Sequence, residues 1–257
     1  MSRNTSPALA LLRARIERLE RPAERRSGVL PLGVGAIDAH LPGGGLALGA
    51  LHEIAGSGGD AAATLFVAGL LARLPGPVLW CQGAQGLFAP LFPPGLAGAG
   101  LAPDRVIHLA AGEEKTVLLA MEEGLGQPGL AGVVGELSRL PMTASRRLAL
   151  ATEATGVFVL VLVRREKGEK PEEEKIVPNA AATRWRVAPL PAPRPAWPHP
   201  AWPGLERALW RLDLVRCRGR AAASWMVEAC DATGCLGLAG VLPDRSAAPL
   251  PARRARA

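Results

Sequence analysis

Residues 7–20, PALALLRARIERLE, set Leu9, Leu12, Ile16 and Leu19 at steps of three and four, with Arg13, Arg15, Glu17, Arg18 and Glu20 filling most of the rest. Residues so spaced share one side of a helix, so the pattern predicts an amphipathic helix with an apolar stripe. RPAERRSG ends it and supplies a short linker. The stripe can dock on its own domain or on another subunit, and the pattern leaves both open.

From residue 28 to about 163, short apolar runs alternate with helical periodicity. ALHEIAG, GPVLWCQ, RVIHLA, LAGVVGEL and GVFVLVLV are strand candidates. DAAATLFVAGLLARL, EEKTVLLAMEEGL and TASRRLALATEAT are helix candidates, the first with Asp60 as N-cap and the last capped by Thr143 or Ser145. This alternation predicts an α/β fold with a mainly parallel sheet and helices on both faces.

Beyond Val163 the pattern changes. Residues 164–175 carry five basic and five acidic side chains, which predicts an exposed, mobile loop over about 164–178. TRWRVAP is a strand, and residues 189–204, with seven prolines, form an extended connector. ALWRLDLVRC and ASWMVEAC, split by RGRAA, predict an antiparallel hairpin with Trp210, Leu212 and Leu214 on one face and Arg211 and Asp213 on the other. The domain is expected to span 28–242, between the helix and linker of 1–27 and a disordered basic tail at 243–257.

Composition refines this picture in three places. Aromatic residues are 4% with no tyrosine, so Ala, Leu and Val must fill most of the core. No long charge-free apolar run and no signal-peptide layout occurs, which leads us to expect a cytoplasmic protein. Cys81, Cys217, Cys230 and Cys235 form no CxxC pair, so reduced cysteines are expected and a structural metal site is not. The net charge of +7 resides in residues 1–27 and 251–257, while the body sums to zero. Any DNA binding is therefore expected to be weak and carried by the tails.

One stretch carries candidate chemistry, and it carries it in damaged form. HEIAGSGGDAAATLF has the layout of a phosphate-binding loop, strand into glycines into helix. Such a loop, GxxxxGK[ST], needs glycines for close backbone approach, a lysine for phosphate charge and a hydroxyl for Mg²⁺. With Gly56 first, the run Gly56, Ser57, Gly58, Gly59, Asp60, Ala61, Ala62, Ala63, Thr64 puts alanine at the second glycine, the lysine and the hydroxyl, with Thr64 one place late. No lysine precedes Lys115, so no register shift repairs it, and Asp60 adds a repelling charge. Neither catalysis nor a cofactor is expected.

The run LPLGVGAIDAHLPGGGLALGALHEIAG resembles the opening of a RecA-type core. With the lysine-free loop and the segments PVLWC, GLAGVVGEL, TASRRL, ATRWRV, WRLDLVRCRG and SWMVE, it resembles the ImuA family over roughly residues 28–240. These are RecA-like accessory proteins encoded beside an error-prone polymerase in DNA-damage cassettes. The resemblance mostly transfers losses. The general-base stretch is WCQGAQG, with Gln82 and Gln85 but no carboxylate. The metal-binding aspartate falls on Gly135, with Glu136 one residue on, read as an ordinary acidic residue at a strand end or, less simply, as an ion ligand. The first DNA-binding loop shrinks to SRLPMTA, and the second corresponds to the charge-balanced loop at 164–178.

The resemblance implies a non-catalytic protein of damage-induced translesion mutagenesis. Its expected partners are an ImuB-like Y-family protein, RecA or an error-prone replicative-type polymerase, met through Leu9, Leu12, Ile16 and Leu19. Self-association through the same stripe is also open. A SulA-type division inhibitor binding FtsZ is the second reading, and a divergent but active RecA-like ATPase the third.

Overall fold

The computed structural model describes residues 28–57, 61–83, 90–165, 178–191 and 207–238. The expected N-terminal helix, charged loop 166–177, most of the proline-rich connector and the basic tail lie outside them. A nine-stranded sheet organises the described residues. In chain order its strands are β3 (Leu51–Ser57), β4 (Val78–Gly83), β5 (Val106–Gly112), β6 (Gly132–Leu137), β7 (Phe158–Arg165), β8 (Thr183–Leu190), β9 (Leu209–Cys217), β10 (Ala223–Glu228) and β11 (Gly237–Leu238). A small ribbon of β1 (Val29–Leu30) and β2 (Leu46–Ala47) precedes them.

Across the sheet the order is β11-β10-β9-β8-β3-β7-β6-β4-β5. The six strands from β8 to β5 run parallel, and β8 to β11 pair antiparallel. This is the expected α/β arrangement, a RecA-like core ending in antiparallel strands. The β9–β10 hairpin occupies the segments its alternation marked. Trp210, Leu212 and Leu214 are buried, while Arg211 is exposed and Asp213 half-buried.

Helices cover both faces. On one lie α1 (Gly35–Asp38), α2 (Ala62–Ala72) and α3 (Pro93–Gly98); on the other lie α4 (Glu114–Leu125) and α5 (Met142–Thr155). Nearly every side chain of α2 is buried, because its run AATLFVAGLLA is apolar all round and has no side to give to water. Its last carbonyls are satisfied from outside the helix. Arg105 donates through Nη1 to Ala72 O at 3.0 Å and through Nε to Gly76 O at 3.0 Å, a cap supplied by tertiary structure. The few aromatics concentrate where α2 meets the antiparallel strands: Phe66 packs on Trp185 and Trp210, and Trp185 on Trp225, with centroids 6.1–6.5 Å apart.

Several boundaries differ from expectation. The cap of α2 is Ala61, without a side-chain bond, and Asp60 lies outside the described residues. The cap of α5 is Pro141 rather than Thr143 or Ser145. Ser145 Oγ instead donates to Met142 O at 2.8 Å and accepts the Ala180 N–H at 3.0 Å, tying the helix to the chain entering β8. Pro189 and Leu190 belong to β8, paired with Trp210 and Leu209, so the connector begins later. Arg164 and Arg165 are the last residues of β7 rather than the first of a loop. No helix of the described residues is long and apolar enough to cross a membrane.

Candidate functional site

The glycine-rich turn begins at the end of β3 with Gly56 and Ser57, and the described residues resume at Ala61. A β-carbon on Gly56 would stand 2.4 Å from that of Ala63, well inside any real contact. The helix start is therefore pressed onto the strand end. Ala62 and Ala63, at the lysine and hydroxyl positions, are buried at 4% and 0% exposure. A lysine at 62 would begin its side chain in packed core.

Three buried polar side chains converge next to this contact. Glu136 lies inside β6, on the same side of the sheet as Val134 and Trp80, the side covered by α2. It is a fully buried strand residue, not a helix-start acid. Trp80 Nε1 donates to its Oε1 at 2.8 Å, and Arg164 Nε donates to its Oε2 at 3.2 Å. Arg164 in turn donates through Nη2 to the hydroxyl of Thr64 on α2. Its own strand position is opposite Gly56, where the methyl of Ala63 occupies the place a side chain would take.

Side-chain direction separates Gly135 from Glu136. Gly135 faces the α4 side, where a β-carbon would meet Met121 Sδ at 2.1 Å. Of the two, only Glu136 faces the side covered by α2. In a working phosphate loop the hydroxyl at the helix start would help hold Mg²⁺ for the phosphates. Here that position is Ala63, and the guanidinium of Arg164 joins Thr64, one place on, to Glu136. With alanines at 62 and 63, the residues present do not fit a nucleotide–metal pair. Gln82, at the former general-base stretch, is buried at the end of β4 on the same side, and Gln85 lies outside the described residues.

A second buried polar system, with no local signal in the residue pattern, lies toward the other end of β3. His52 Nε2 donates to Ala47 O at 2.9 Å, which makes Nδ1 the acceptor of the Thr183 hydroxyl at 2.7 Å. Thr183 Oγ1 accepts the Trp185 Nε1–H at 2.9 Å. Each donor is used once, so the chain fixes a neutral imidazole. Burial drives the same way and lowers the His52 pKa to about 4, against the raising effect of the Ala47 bond. On the opposite face, Glu53 accepts from Arg184 Nε at 2.9 Å and from Asn179 Nδ2. Both systems staple β8 to β3.

The cysteines stand apart from these groups. Cys81 and Cys217 are buried in β4 and β9, and Cys230 and Cys235 are half-buried after β10. Burial pushes the Cys81 thiol up to about 11 and that of Cys230 to about 12, away from reactivity.

No family model matches the chain. Two curated relatives do. Protein ImuA of Caulobacter vibrioides, from strain NA1000 / CB15N and from strain ATCC 19089 / CIP 103742 / CB 15, is 38% identical in each case over 214 residues. The match takes in 79% of this chain and 84% of each relative. Identity at that level and coverage, on a RecA-like core, places this chain in the ImuA family.

Proposed function

We propose that this chain is a non-catalytic RecA-like accessory protein of DNA-damage-induced, error-prone translesion synthesis in the cytoplasm. It works by contact with an ImuB-type Y-family partner, RecA or an error-prone replicative-type polymerase. Membership of the ImuA family supports the setting. The observation that carries the non-catalytic part is the bridge from Arg164 to Glu136 and Thr64, with buried alanines at 62 and 63. A site already neutralised by its own side chain gains little from a metal-bound phosphate.

Titration calorimetry with ATP and Mg²⁺ tests this. The expected dissociation constant is about 1 mM or weaker, near −4 kcal/mol, with no phosphate release. A micromolar constant sinks the reading and favours a divergent ATPase. Contacts are assigned to Leu9, Leu12, Ile16 and Leu19, which lie outside the described residues. Capture of the full chain by an ImuB-type protein and not by FtsZ separates this role from that of a SulA-type division inhibitor.

A further inference from the structure

The body of the chain sums to zero charge, but the fold does not mix that charge evenly. Residues 178–191 and 207–238, which hold β8 to β11, carry seven arginines against Asp213, Glu228 and Asp231, a net +4. The other described stretches sum to −1. The excess is further focused by pairing. Arg184 is held by Glu53 in the interior, Arg207 lies 3.5 Å from Glu228, and Arg211 lies 3.2 Å from Asp213. Arg216, Arg218 and Arg220 crowd the turn between β9 and β10, all exposed and with no acidic partner among the described residues.

That turn is built to hold still. Gly219 takes φ +75°, a left-handed conformation that favours glycine, and the Arg220 N–H donates back to Cys217 O at 3.4 Å. Arg216 Nη1 donates to Asn179 O at 2.7 Å, which uses one of its five donors while the residue stays exposed. From the far side, His40 Nε2 donates to Ala221 O at 2.9 Å, while its ring stands edge-on to Trp225 at 5.4 Å. Three guanidinium groups are thus displayed on a turn pinned from both flanks.

We propose that this turn is a docking point for the phosphodiester backbone of a nucleic acid. The proposal goes beyond the contact role above and does not depend on the state of the phosphate loop. Arginine forks match phosphate oxygens, and a backbone contact of this kind draws its free energy from released counterions rather than from apolar burial. A protein interface would instead centre on an anchor desolvated in a well-packed pocket, whereas these guanidinium groups stand exposed with no large apolar neighbour in the turn to bury beside them. The turn offers only arginine, glycine and alanine. The exposed apolar side chain of the hairpin, Met226, sits further up, opposite Arg211.

The test uses the full chain with its basic ends, a fluorescein-labelled oligothymidylate and anisotropy titrations over a series of NaCl concentrations. In Arg218→Ser/Arg220→Ser, with an unchanged melting temperature, the slope of log K against log[NaCl] should become shallower by about 1.4, two contacts at about 0.7 each. Affinity at low salt should fall several-fold, and Arg218→Lys/Arg220→Lys should keep the parent slope. An unchanged slope and affinity in the serine variant would mean that the termini carry all the binding and would overturn the proposal. So would loss of binding to polyglutamate with oligothymidylate binding intact, which would assign the turn to an acidic protein surface.

Discussion

Gly56 and Ala63 are in contact so close that a β-carbon on the glycine would lie 2.4 Å from the alanine methyl. The strand end and the helix start therefore exclude any larger pair. Gly56→Ala should cost about 1–3 kcal/mol through overpacking. For a domain of this size that lowers the melting temperature by roughly 3–10 °C, readable by calorimetry. An unchanged melting temperature would mean that the helix start relaxes freely and that the contact is not a constraint.

Arg164 and Glu136 are an almost fully buried pair, with side-chain exposures of 4% and 0%. Removing one partner strands the other charge in the interior. Arg164→Met or Glu136→Leu alone should cost about 3–5 kcal/mol, whereas the double variant Arg164→Met/Glu136→Leu should cost clearly less than the two singles summed. Urea denaturation of the four proteins measures the coupling. Additive losses would show that the two side chains do not support each other.

The His52 network makes stability depend on pH. Its folded pKa is lowered from 6.5 to about 4, so the unfolded chain takes up the proton first as pH falls. The contribution, about 3 kcal/mol in all, is fully present above about pH 6.5 and is lost progressively between there and pH 4. His52→Asn should lower stability at pH 7 and flatten the decline between pH 6.5 and 4.5. If the variant declines as steeply as the parent, other groups set the acid limb.

The apolar stripe at Leu9, Leu12, Ile16 and Leu19 is tested by Leu12→Asp/Ile16→Asp. Each stripe residue buried in a partner groove yields about 1.5–3 kcal/mol before ordering costs. The double variant should lose capture by the ImuB-type partner, or self-association, with the melting temperature nearly unchanged. A drop of many degrees would place the stripe in the protein's own core.

Much of the fold was legible because its signals are local. The β9–β10 hairpin was readable from a two-residue alternation, and α2 from a continuous apolar run after a glycine-rich turn. The cap of α5 was not legible, because Ser145 bonds to Met142 O and the distant Ala180 N–H instead, and no neighbouring residue marks that second partner. The absent lysine and hydroxyl were visible by spacing alone. Arg164 was not, since a charged residue at the edge of a charged stretch looks solvated until its strand is placed beside Gly56.

The sequence by itself determined the alternating strand and helix pattern, the antiparallel ending and a glycine-rich turn followed by no lysine, all of which rest on residue types at short fixed spacings. Only the tertiary structure decided that Glu136 rather than Gly135 faces α2. The same holds for the salt bridge from Arg164 to Glu136, its link to Thr64 a hundred residues away, and the gathering of unpaired arginines at one turn. The physical reason is that burial and pairing depend on which strands become neighbours. In a sheet ordered β8-β3-β7-β6-β4-β5, those neighbours are set by packing across long stretches of chain, and a sum of charges along the sequence averages that arrangement away.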